Sequence, residues 1–155
     1  MQDLVAVLVT WISIATGMPA VDDHPRIVRA SSDEMVAIRL GRAAPALTQN
    51  ARDQIGMTVS SGHHADLRAV YDDQMRTIYL ARGWTGATPA ESSILVHELV
   101  HHLQNVAGLT YDCAEAREKP AYQAQTRWLE LFGTSLEQEF ELDPMTLLVR
   151  SNCMH

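Results

Sequence analysis

Residues 88–108 read TPAESSILVHELVHHLQNVAG, and the remainder of the chain is best read outward from them. Thr88 can cap a helix, Pro89 suits its first position, and Glu91 follows Thr88 at the capping-box spacing. Gly108 supplies a stop. Between these signals Leu95, Leu99, Leu103 and Val106 recur at helical spacing, which predicts a helix from Pro89 to about Ala107 with that stripe facing a core. His97 and His101 lie within it. Four residues advance a helix by about 400°, so both imidazoles leave one face a turn apart, with Glu98 beside that face. Two histidines and a glutamate among Ile94, Leu95, Val96, Leu99, Val100 and Leu103 are costly to bury alone, and a divalent cation offers them a partner. Imidazole and carboxylate ligands favour Zn2+, one per chain, although cobalt or manganese suit the same donors.

A catalytic zinc needs a third protein ligand and an open position. A histidine continuing the same helix, as in metzincins, would fall at position 107 with glycine at 104, and the chain has Ala107 and Gln104. Glu115 and Glu118, beside some other ligand, are then the candidates, both on the next helical segment, which is expected from Asp112 to Phe132 before Gly133. Pro120 removes an amide donor there and is expected to kink or delay that helix.

The chain has 155 residues, a net charge of −7, seven histidines and two cysteines. That length suits one domain spanning 1–155 with a real core. Its acidity argues against nucleic acid as the main partner, because phosphate-backbone binding needs a basic surface. The apolar run Leu4 to Ala15 is too short to span a bilayer. It lacks a leading Lys or Arg, so it reads as a buried first helix in preference to a signal peptide, and a cytoplasmic chain is favoured over an exported one. Pairing of Cys113 with Cys153 would suit an exported protein, and two buried thiols a cytoplasmic one.

After breaks at Gly17, Pro19 and Pro25, Arg26 to Ala30 is a strand candidate. Ser31 and Glu34 form a capping box for a helix carrying Met35, Val36, Ile38 and Leu40 and ending at Gly41. Residues 42–66 are weakly patterned, with a helical turn expected near 46–55. Leu67 to Ala81 reads as a hairpin around Asp72-Asp73-Gln74, with Val70, Tyr71, Ile78, Tyr79 and Leu80 as strand residues. Asp143-Pro144 starts a terminal helix to about Arg150. Trp11, Trp84 and Trp128 read as packing residues. These elements predict an α+β fold.

The run ILVHELVHHLQ followed by Glu118-Lys-Pro-Ala121-Tyr122 resembles the gluzincin metallopeptidases. From Tyr71 to Phe132 the chain is also similar to a group of small bacterial zincin-like proteins of unassigned function. The resemblance implies a minimal zincin-like domain, in which a small mixed sheet with an edge hairpin packs on the H-E-x-x-H helix and a following helix bears a ligand. By that match His97, His101 and Glu118 hold the metal, Glu98 is the general base, and Ala121 lets the second helix pack closely. Arg76 to Leu80 would be the edge strand that pairs with an extended peptide or protein substrate. Many gluzincins carry aspartate four residues after the ligand glutamate, where this chain has Tyr122. That leaves the orientation of the histidines to Tyr122, Asp66, Asp72 or a backbone carbonyl. Tyr122, Tyr111, His63 and His64 are the candidate donors to an oxyanion. His102 points away from the ligand face, toward supporting or surface positions, and His24 and His155 carry no signal. A zinc-dependent peptidase is the leading expectation. Its alternatives are a catalytically silent zinc-binding sensor or partner-binding module, and a hydrolase of another amide or ester.

Overall fold

The computed structural model describes residues 1–39 and 67–154. The expected helical turn at 46–55, Leu40, Gly41, His63, His64, Asp66 and His155 lie outside them. Among the described residues are six helices and a three-stranded mixed sheet, an α+β fold.

Helix α1 spans Gln2–Thr16 and buries Val5, Leu8, Val9 and Ile12, one stripe at helical spacing, while Val7 and Ile14 face solvent. No described helix is long and apolar enough to cross a membrane. Strand β1 is Arg26–Ala30 and helix α2 is Ser32–Arg39. The predicted capping box forms at the start of α2: the Glu34 carboxylate accepts from the Ser31 amide (2.6 Å), and Ser31 Oγ accepts from the Glu34 amide (3.3 Å).

Strands β2 (Ala69–Asp72) and β3 (Thr77–Ala81) form the predicted hairpin. The Asp72 carboxylate accepts from the amides of Gln74 and Met75, both at 3.0 Å, and tightens the turn. The strand order is β1-β3-β2, with β1 parallel and β2 antiparallel to β3. Arg76 to Leu80 is therefore no edge strand. Register partners such as Ile27 and Tyr71 flank Ile78 on its two sides, and both rows of β3 main-chain groups are paired within the sheet.

Beyond β3 the Trp84 indole enters the core and donates to the Glu91 carbonyl (2.8 Å). Gly86 sits against it at φ 73°, where a Cβ would fall 2.6 Å from the ring, so only glycine fits. Helix α3, Pro89–Val106, is capped by Thr88, whose Oγ1 accepts from the Glu91 amide (3.1 Å). The expected reciprocal interaction of Glu91 with the Thr88 backbone is shared with the preceding loop. Glu91 turns back and accepts from the Thr85 hydroxyl (2.6 Å) and the amides of Thr85 (3.1 Å) and Ala87 (3.0 Å), closing the preceding loop. Leu95, Leu99 and Leu103 are fully buried as predicted, whereas Val106 is only partly covered.

Helix α4, Ala114–Glu130, begins and ends two residues inside the predicted span, with Cys113 as its N-cap. It starts six residues ahead of Pro120 and runs through it, so the proline does not delay the helix. Ala121 and Ala124 are fully buried in the core cluster that includes α3. Helix α5, Leu136–Phe140, was not predicted, although Ser135 and Gln138 carry the capping spacing and Ser135 Oγ accepts from the Gln138 amide (3.2 Å). Helix α6 is Pro144–Ser151, capped by Asp143. Cys113 and Cys153 are joined in a disulfide across 40 residues of sequence, the arrangement suited to oxidising surroundings. Trp11 packs edge-on against Trp128 at 5.1 Å, in keeping with a packing role for both.

Candidate metal centre

His97 and His101 project from one face of α3, and α4 brings Glu118 to them. His97 Nε2 lies 3.0 Å from Glu118 Oε2, and His101 Nε2 lies 3.3 Å from Glu118 Oε1. One donor atom from each residue falls within 4.8 Å of the others, the only such His/Cys/Asp/Glu group among the described residues. Both rings are buried, while the Glu118 side chain keeps 35% exposure and marks the open side. Glu115 is exposed and outside the group.

The opposite nitrogens of the two rings are held by amides. His97 Nδ1 meets Gln125 Oε1 (3.0 Å), and Gln125 Nε2 donates to Ser93 Oγ (3.1 Å), whose own proton goes to the Ala90 carbonyl (2.7 Å). His101 Nδ1 meets Gln104 Oε1 (2.9 Å), and Gln104 Nε2 donates to the Arg117 carbonyl (3.0 Å). Because a carbonyl only accepts, each glutamine must turn its NH2 away from the ring and its oxygen toward it. Each Nδ1 therefore carries a proton, and each Nε2 facing the Glu118 carboxylate is left to a metal ion or, in the metal-free chain, to a second proton. Lone pairs facing an anion call for a positive charge between them, so the donor set fits a divalent cation.

In the metal-free chain that positive charge is a proton. Burial pushes the Glu118 carboxyl up, but hydrogen bonds and charge from His101 and His97 outweigh it and hold the group well below the ordinary carboxylate range. Burial works against charge on His101, yet Glu118 and Glu98 raise its pKa above the usual histidine value. Glu98 is half-buried on the next position of α3, outside the ligand group but close enough to act on His101.

Tyr122 lies one turn beyond Glu118, and its ring meets that of His97 edge-on at 4.7 Å. It makes no hydrogen bond to either histidine, and neither does Asp72. The orienting partners are Gln104 and Gln125, which motif reading missed. Helical spacing marks both, since Gln104 is three residues after His101 and Gln125 seven after Glu118, each on its ligand's face. Tyr111 lines a separate open groove of about 470 Å³ with Gln104, Asn105 and Arg117. His102 is no surface residue. It is fully buried, with Nε2 on the Asp23 carbonyl (2.5 Å) and Nδ1 on the Tyr71 hydroxyl (3.1 Å), and burial lowers its pKa.

Residues 43–155 match the model of a family described as "Domain of unknown function (DUF6647)". The chain belongs to the DUF6647 family. A search of curated proteins and a search of solved structures return no match. The DUF6647 match takes in the hairpin, helices α3 to α6, the disulfide and the His97–His101–Glu118 group, and begins after α1, β1 and α2.

Proposed function

We propose that the chain is a zinc-dependent metallopeptidase in which His97, His101 and Glu118 hold the ion. The observation that carries this reading is the convergence of His97, His101 and Glu118, each ring with Nδ1 on a glutamine oxygen, on a half-open site beside Glu98. A Zn2+ bound there would supply Lewis acidity and activation of water near neutral pH. Glu98 takes the proton from the attacking water and returns it to the departing amine, a role that needs proximity to the ligands without membership among them. Tyr122 packs against His97, and its hydroxyl would donate to oxygen charge that develops on the substrate. The central place of β3 argues against substrate pairing along Arg76 to Leu80.

Metal analysis and a peptide-library digest test the reading together. Purified protein is expected to hold one zinc per chain, and His97→Ala or His101→Ala to lose it. Glu98→Gln is expected to keep the zinc and lose hydrolysis of an unfolded protein. Unchanged metal content in both histidine variants would overturn the site. Zinc without turnover on a broad library would overturn the enzyme and leave a zinc-binding sensor or partner-binding module.

A further inference from the structure

Arg117 precedes Glu118 on α4, but its guanidinium reaches back to α3 and to the β2–β3 turn. Two of its nitrogens clasp the Asp73 carboxylate at 2.8 and 2.5 Å. Its Nε donates to Gln104 Oε1 (3.3 Å), and a terminal nitrogen reaches the His101 carbonyl (3.4 Å). Gln104 in turn donates to the Arg117 carbonyl (3.0 Å). The two helices that must agree for the centre to exist, and the hairpin turn, thus meet at one side chain.

We propose that Arg117, anchored by Asp73, is a positioning residue of the metal centre: it fixes Gln104, and through Gln104 the ring of His101, in register with Glu118. The inference rests on the metal reading above. A guanidinium fork on a carboxylate fixes geometry as well as charge, and here it does so from the residue next to a ligand. The His97 arm has no such link, because Gln125 is held by Ser93 of α3 itself. Loosening Arg117 therefore acts on His101 through Gln104 and reaches His97 only by way of Glu118.

The test uses the full chain with Arg117→Met, Arg117→Lys and Asp73→Asn. Zn2+ affinity is measured by chelator competition, and the imidazole 15N resonances of His97 and His101 are followed by NMR with and without zinc. Arg117→Met is expected to weaken zinc about tenfold, within the range typical of groups that orient metal ligands. It is expected to shift the His101 resonances more than those of His97. Arg117→Lys, which lacks the fork, restores neither. Asp73→Asn, at a half-exposed turn position that tolerates change, moves both readouts the same way by less. Unchanged zinc affinity with unchanged His101 resonances overturns the proposal, as do equal shifts of both rings or full rescue by lysine. A wild-type chain that takes up no zinc overturns the metal reading instead, and the metal-free His101 resonances then decide the Arg117 link.

Discussion

His101 and His102 are neighbours in the chain, yet the fold gives them opposite protons. Gln104 forces the hydrogen of His101 onto Nδ1, whereas the Asp23 carbonyl forces that of His102 onto Nε2 and leaves Nδ1 to accept from the Tyr71 hydroxyl. The first arrangement frees a lone pair for an ion, and the second consumes the ring in the core. The same residues set a pH response of the metal-free protein. Glu118 is lowered from its ordinary 4.5, so its contribution to stability is complete above pH 4.5 and is lost as pH falls. His101 is raised from 6.5, so its contribution is complete below pH 6.5 and is lost as pH climbs through the folded value. Urea midpoints of metal-free protein are expected to be highest between those limits as far as this cluster is concerned, and Glu118→Gln to flatten both flanks. A flank that survives the substitution belongs to other groups.

The α3–α4 pair is the element on which the centre depends. Ala121, three residues past Glu118, has no exposed surface and lets α4 approach α3. Ala121→Leu is expected to cost about 1–3 kcal/mol by overpacking. It should also weaken zinc in chelator competition, because it moves the helix that carries Glu118. Much of this pair was legible beforehand. Thr88, Pro89 and Gly108 bound α3, the i, i+4 histidines share its face, and Ala121 follows Glu118 at the right distance. What escaped was of two kinds. Gln104 and Gln125 belong to no ligand motif, since an amide matters only once a neighbour fixes which end faces the ring. The central place of β3 escaped because its parallel partner β1 lies some fifty residues upstream, from Arg26 opposite Thr77, and local patterning carries no signal for such pairing. Glu91 illustrates a third case, in which the capping spacing was right but loop amides at Thr85 and Ala87 competed for the carboxylate.

At the scale of the molecule, the Cys113–Cys153 bridge ties the start of the ligand helix to the chain beyond α6. Closing a loop of 40 residues is worth about 4 kcal/mol in the chain-entropy account. Cys113→Ala with Cys153→Ala is expected to lower the urea midpoint by up to that equivalent; an unchanged midpoint would show that the unfolded chain is already compact there. A different dependence runs through β1, which precedes the family-matched region 43–155. Arg29 fastens that strand by lying over the Trp84 ring at 4.9 Å and donating to the Trp84 carbonyl (2.5 Å). Without Arg26 to Ala30, β3 would present a flank of unmatched amides and carbonyls to any other chain in solution. Bare strands of that kind template self-association. These five residues thus cover one flank of β3, and their deletion is expected to raise self-association, read by light scattering.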